Sequence, residues 1–101
     1  MPSYSSVQNY YERLVFEFIN DQLIDKYPDM DDDFFLDVAC YALTRLPARY
    51  MRHEIDMAYY LAPGERSDMQ NQVEESVSAA AEFISSRIRV SAPADSPGTV
   101  A

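Results

Sequence analysis

Apolar positions recur at helical spacing from the start of the chain. Wound at 100° per residue, Val7, Tyr11, Leu14 and Phe18 form one stripe, flanked by Tyr10, Val15 and Ile19. Ser5-Ser6-Val7-Gln8 has the spacing of a capping box, so a helix is predicted from there to about Ile24. Asn9, Glu12, Arg13 and Asn20 occupy the opposite face, with Phe16 among them. With Leu23 on the flank, Phe16 predicts a subunit contact; a singly exposed aromatic is the alternative.

Tyr27-Pro28-Asp29-Met30-Asp31-Asp32-Asp33 reads as a turn feeding a second helix. The alternating aspartates resemble the start of a calcium loop. That loop needs glycine at its sixth position and glutamate at its twelfth, where Phe34 and Cys40 stand. Aspartates here instead cap free N–H groups and complement the helix dipole. Over residues 33–46 the pattern puts Phe35, Leu36, Ala39, Leu43 and Leu46 on the core side, and Asp37, Tyr41 and Thr44 on the other. Cys40 borders the apolar face and is expected as a small buried thiol. Pro47 ends this helix, because a residue before proline is pushed out of the helical region.

Residues 47–52 are predicted to be extended. Beyond them, Met51, His53, Ile55, Met57, Tyr59 and Leu61 alternate like a strand, while Met51, Ile55, Ala58, Tyr59 and Ala62 also fit a helix. Pro63 suits a first helical position, and a long helix should run to about Arg89. Its seam, Met69, Val73, Val77, Ala80, Ile84 and Ile88, fits a core or a dimer contact. Residues 91–101, rich in Pro, Ser and Ala, are expected to be disordered. The fold class predicted is mainly α: a small single-domain fold of three to four helices over residues 5–90, with a short extended segment around 47–60, homodimeric.

Composition narrows the possible partners. A formal charge of −9 over 101 residues opposes binding of a nucleic-acid polymer or an anionic membrane, both of which require cationic surface. A single cysteine excludes an internal disulfide. The first residues lack the cationic and apolar regions of a signal peptide, and no apolar run reaches a membrane span, so a cytoplasmic protein is expected. Only Cys40 and His53 could serve as soft metal ligands, too few for structural zinc.

Against this acidic background Arg45, Arg49, Arg52 and His53 fall within nine positions, with Tyr50 among them. Two readings stand. The strip receives a small anionic or aromatic ligand, or its arginines neutralise neighbouring acidic helices. Asp37 likewise is a ligand acceptor or a structural partner of an arginine or a helix end.

The run Asp37-Val38-Ala39-Cys40-Tyr41-Ala42-Leu43-Thr44-Arg45-Leu46-Pro47-Ala48-Arg49-Tyr50 resembles the ComFB family, whose pattern couples a helix bearing D-(I/V)-x-x-x-A-L-N to L-P-P-(R/K)-Y. Asn9-x-x-Glu12-x-x-Val15 also matches the family's opening helix, and the run after Arg49 looks most like cyanobacterial members. Thr44 stands where the family has Asn, and Ala48 replaces the second proline. Cysteines that many relatives carry before the aspartate are absent from residues 30–36, so zinc is not carried over. The resemblance implies a small helical dimer, and some members act as cyclic dinucleotide receptors.

This implication meets the arginine strip. Arg can grip phosphate or a guanine edge and stack on a purine face; tyrosine can stack, and aspartate can accept guanine N–H groups. The candidate ligand set is Arg45, Arg49, Tyr50, Arg52, His53, Asp56 and Asp37, with cyclic di-GMP as regulatory ligand and cyclic di-AMP as the other choice. No cofactor or catalysis is expected, since no nucleophile–base pair, glycine-rich phosphate loop or metal set is legible. A protein-interaction adaptor in competence or gene regulation is the competing reading, and a downstream protein partner fits either.

Overall fold

The computed structural model describes residues 2–53 and 55–91. It is mainly helical, with one two-stranded antiparallel ribbon. After a 3-10 turn at Tyr4–Ser6 come β1 (Gln8–Asn9), α1 (Tyr10–Phe18), α2 (Asp32–Arg45), β2 (Tyr50–Met51), α3 (Asp56–Tyr60) and α4 (Glu65–Ser91). The expected disorder of the tail concerns residues that, from 92 on, lie outside the described ones.

The first helix starts later than the capping-box spacing predicts. Asn9, not Ser5, is its cap: the Asn9 side chain accepts from the Tyr11 N–H at 3.2 Å. Val7 therefore precedes the helix and is exposed, while Tyr10, Tyr11, Leu14, Val15 and Phe18 are buried. Beyond Phe18 the helix widens into a π turn, Ile19–Leu23, closed by an Ile24 N–H donated to the Ile19 carbonyl, and ends in a 3-10 turn, Ile24–Lys26. The extra residue has a packing reason. An unbroken α-helix would bring Gln22 round to the core, whereas the wider turn brings Leu23, which is 2% exposed. Leu23 is thus a core residue and unavailable as the expected subunit contact.

Asp31 caps α2 by accepting from the Phe34 N–H at 3.1 Å, and Leu46 leaves the helix with ψ 146° ahead of Pro47. The buried face of α2 is rotated from the one expected. It carries Phe34, Val38, Ala39, Ala42 and Leu46, while Leu36 is 62% exposed and Cys40 is exposed. This helix packs on α4 and on α1, so its buried arc is centred between the two, with Ala42 allowing close approach. Leu36 and Cys40 fall outside that arc.

Helix α4 lays Met69, Val73, Val77, Ala80 and Ala81 into the core against α1 and α2, which makes its seam an intramolecular one. Ile84 packs at the core's margin and Ile88 is partly exposed. Its start differs from expectation: the Glu65 N–H bonds to the Ala62 carbonyl at 3.0 Å across Pro63 and Gly64, whose φ is +82°. Pro followed by a positive-φ glycine is the residue order of a type II turn, so Pro63 serves the turn and the helix begins at Glu65.

Candidate functional site

The ribbon is built around one side chain. Gln8 pairs with Met51 and Asn9 with Tyr50, and the Tyr10 N–H donates to the Arg49 carbonyl at 2.7 Å. The amide oxygen that caps α1 also accepts the Arg49 N–H at 2.9 Å, forty residues away in sequence. Asn9 thereby fixes both the start of α1 and the register of β2.

Strand alternation then sorts the arginine strip. Met51 turns inward and packs on the core, whereas Tyr50 (67% exposed) and Arg52 turn outward together. Arg52 closes a cleft of about 460 Å³ lined also by Pro2, Ser3, Tyr4, Ser6 and Val7. The 3-10 turn holds that wall: the Ser6 hydroxyl donates to the Ser3 carbonyl at 3.2 Å, and the Ser3 and Ser5 hydroxyls lie 3.0 Å apart. Among the described residues Arg52 has no acidic partner. His53 is exposed, its carbonyl receiving the Asp56 N–H at 3.0 Å, which places a half-buried Asp56 at the start of α3.

Arg49 faces elsewhere. Its guanidinium pairs with Glu65 and donates to the Tyr60 carbonyl at 3.4 Å, bordering a cavity of about 320 Å³ with Tyr11, Asp68 and Gln72. The second carboxylate oxygen of Glu65 accepts the Ala62 N–H at 2.8 Å. The bond from Arg49, followed by the one from Ala62, holds the Glu65 carboxyl below the usual range. Burial pushes the Tyr11 phenol up, and its hydroxyl donates to Gln72 at 2.7 Å. The Arg49–Glu65 pair is a contact of the kind the neutralising reading describes.

A pH dependence follows with a definite sign. A carboxyl depressed in the fold contributes stability above its unfolded pKa, and that contribution is lost as pH falls through the folded value. Glu65→Gln is expected to melt a few degrees below the wild type at pH 7, with the gap closing in acid below the normal glutamate range. A gap that persists unchanged in acid would mean the loss lies in packing.

Arg45 lies on a third surface. Its guanidinium carbon sits 4.5 Å over the Tyr41 ring, and its Nη2 donates to the Tyr41 hydroxyl at 2.6 Å. Tyr41 stacks on Phe83 of α4, with centroids 5.0 Å apart and planes 28° apart, and Arg87 lies 4.6 Å over Phe83. Asp37 is exposed beside this row, in a shallow depression of about 420 Å³ with Cys40, Tyr41, Thr44 and Ile84.

The structure thus turns Tyr50 and Arg52 outward together, with His53 exposed after them and Asp56 at the start of α3. It gives Arg49 to α4, and gives Arg45 and Asp37 to the α2–α4 face. Sequence reasoning missed Tyr4, because the capping-box prediction placed it outside any element. It also missed Phe83 and Arg87, which lie off the core seam of α4.

The sequence pattern of the family described as "Late competence development protein ComFB" matches residues 8–87. The chain belongs to the ComFB family. The match begins at β1 and ends within α4, so it spans both strands, the Asn9 junction and the segment from Asp37 to Tyr50, while the 3-10 turn that walls the Arg52 cleft precedes it. Neither a curated protein nor a solved structure matches the chain. No helix among the described residues is long and apolar enough to cross a membrane.

Proposed function

We propose that this ComFB-family chain is a non-catalytic cytoplasmic receptor for a cyclic dinucleotide, cyclic di-GMP foremost, bound along the outer edge of β2. The observation that carries the reading is exposed Tyr50 two residues from an Arg52 that borders a cleft walled by Tyr4 and has no acidic partner among the described residues, on a chain of net charge −9. A guanidinium in such a place can fork onto a phosphate or a guanine edge, and two phenol rings offer stacking faces for a base. Asp56 and His53 follow within four residues of Arg52 and supply an acceptor and a further donor. Calorimetric titration with cyclic di-GMP, cyclic di-AMP and GTP tests the proposal. Saturable binding of a cyclic dinucleotide in preference to GTP supports it, and heat from none of the three rejects it.

The assembly proposed for the receptor is a homodimer. Phe16 (48% exposed) and Leu36 (62%) flank a groove of about 490 Å³ floored by Ile19, Phe35 and Ala39, where α1 and α2 leave apolar surface uncovered. A chain this short leaves much of its surface exposed, and a second copy across this groove would cover it. Sedimentation at tens of micromolar should show a dimer that Leu36→Asp converts to an 11.6 kDa species. The wild type running at that mass would remove the assembly from the proposal. An interaction adaptor working through this groove is the second reading, supported if nucleotides give no heat and Leu36→Asp leaves sedimentation unchanged.

A further inference from the structure

The cavity that Arg49 borders stands apart from the cleft at Arg52 and from the receptor reading. It holds about 320 Å³, at the small end of the roughly 300–1,000 Å³ usual for small-molecule sites. Two helices supply its polar groups. Asp68 and Gln72 lie one turn apart on α4, so their side chains share a face, and Tyr11 reaches the same cavity from α1. Tyr11 is 4% exposed, and its hydroxyl donates to Gln72 at 2.7 Å. That bond uses the phenol's one hydrogen and leaves its oxygen able to accept, while the Gln72 oxygen keeps a lone pair. The exposed Asp68 carboxylate has no cationic partner among the described residues. Buried Met69 and the Pro47 ring add apolar wall.

Charge and donor number together select the ligand. Arg49 and Glu65 pair with each other at the rim, so Asp68 is the uncompensated charge and the cavity favours a cation. A metal ion is a poor match. One free carboxylate with an amide and a phenol falls short of the oxygen set that calcium or magnesium requires. No group of three or more metal-ligating side chains occurs among the described residues. A guanidinium is planar and pairs best with a carboxylate fork, whereas an ammonium carries three N–H donors that diverge from one point. Three acceptors, one ionised and two neutral, line this cavity, and its apolar wall suits a methylene stem. The Tyr11–Gln72 bond presents two of them before a ligand arrives, which reduces the ordering needed on binding.

We infer that the cavity between the first turns of α4 and Tyr11 of α1 is a binding site for a primary alkylammonium group, held by Asp68, Gln72 and the Tyr11 oxygen.

The probe is putrescine, titrated into the isotope-labelled full chain at constant ionic strength. Resonances of Tyr11, Asp68, Met69 and Gln72 should shift and saturate at roughly millimolar concentration or below. Affinity should fall about tenfold or more in Asp68→Asn, the loss of a charge-assisted bond, and about two- to tenfold in Tyr11→Phe, the loss of a neutral one. Asp68 is exposed, so its variant decides the matter even if Tyr11→Phe is unstable. Glu82→Gln removes the same charge fourteen residues along α4, about 21 Å away, and should change little. Butanediol, which lacks the charge, and tetramethylammonium, which lacks the N–H donors, should both bind far more weakly. Nα-acetyl-lysine amide carries the same ammonium on a peptide side chain. Binding tighter than putrescine assigns the site to a lysine of a protein partner and weaker binding to a free amine; either result upholds the inference. Absence of saturable shifts with both amines would overturn it, as would equal affinity for butanediol or tetramethylammonium. So would unchanged affinity in Asp68→Asn, or an equal loss in Glu82→Gln, which would reduce the effect to net charge. Displacement of putrescine by cyclic di-GMP would also overturn it, because the cavity would then belong to a nucleotide site.

Discussion

Asn9→Ala is expected to lower the thermal midpoint by roughly 10–20 °C, the largest effect of any single polar substitution in this chain. The Asn9 amide oxygen accepts two backbone N–H groups, Tyr11 at 3.2 Å and Arg49 at 2.9 Å, both partly buried. Losing an N-cap costs about 0.5–2 kcal/mol, and leaving a buried donor unsatisfied costs about 1–3 kcal/mol. Together these suggest about 2–3 kcal/mol, and each kcal/mol moves the midpoint of a domain this size by roughly 4–8 °C. Asn9→Asp retains the acceptor and should restore most of the loss. Ser5→Ala, at the cap position the sequence spacing indicates, should change little, because among the described residues the Ser5 hydroxyl meets only Ser3. If Asn9→Ala melts with the wild type, the ribbon is held by its ladder alone.

Arg52→Ala is expected to weaken cyclic di-GMP binding about ten- to hundred-fold while leaving the melting temperature unchanged. A bidentate guanidinium contact contributes about 1–3 kcal/mol of binding, which converts to that range. Stability should not move, since Arg52 has no acidic partner among the described residues and faces outward from β2. Arg49→Ala makes the contrast: it strips Glu65 of its cation at the start of α4, so any loss of binding arrives with a loss of stability. Lysine at position 52 should rescue a simple phosphate contact and fail at a forked or stacked one. The control is Lys26→Ala, on the 3-10 turn at the far end of the helix that begins beside β1. Arg87 does not serve as one, because it belongs to the same aromatic row as Arg45. Equal losses in Arg52→Ala and Lys26→Ala would reduce the effect to net charge.

Periodicity located the helices but not the faces they finally bury. The stripe of α1 and the seam of α4 were legible because each gathers its apolar residues on one continuous arc, and Pro47 fixed the end of α2. The buried arc of α2 was not, since apolar residues border it on both sides, and nothing local marks Leu36 as exposed. Asn9 was visible only as part of a family pattern; its role depends on an N–H forty residues away. At the site, clustering in sequence did not become clustering in space. A helix end, a proline and a strand intervene between Arg45 and Arg52, and each turns its arginine to a different neighbour. Residues 51–61 fit both patterns because strand gives way to helix there: β2 ends at Met51, and Asp56–Tyr60 is a short helix.

The π turn at Ile19–Leu23 is, in effect, one residue more than an α-helix needs to carry the core register from Phe18 to Leu23. A shortened chain should therefore fold. Deleting Asn20, which is exposed, lets an ordinary helix bring Leu23 to the place the wider turn now gives it, whereas the same deletion within α2 or α4 would rotate every later core residue out of register. The surplus residue has a geometric use on the other side of the helix, where Asn20 and Ile24 form part of the rim of the groove between α1 and α2. Chain length at this one turn thus sets the contour of the outer surface while leaving the interior as it is.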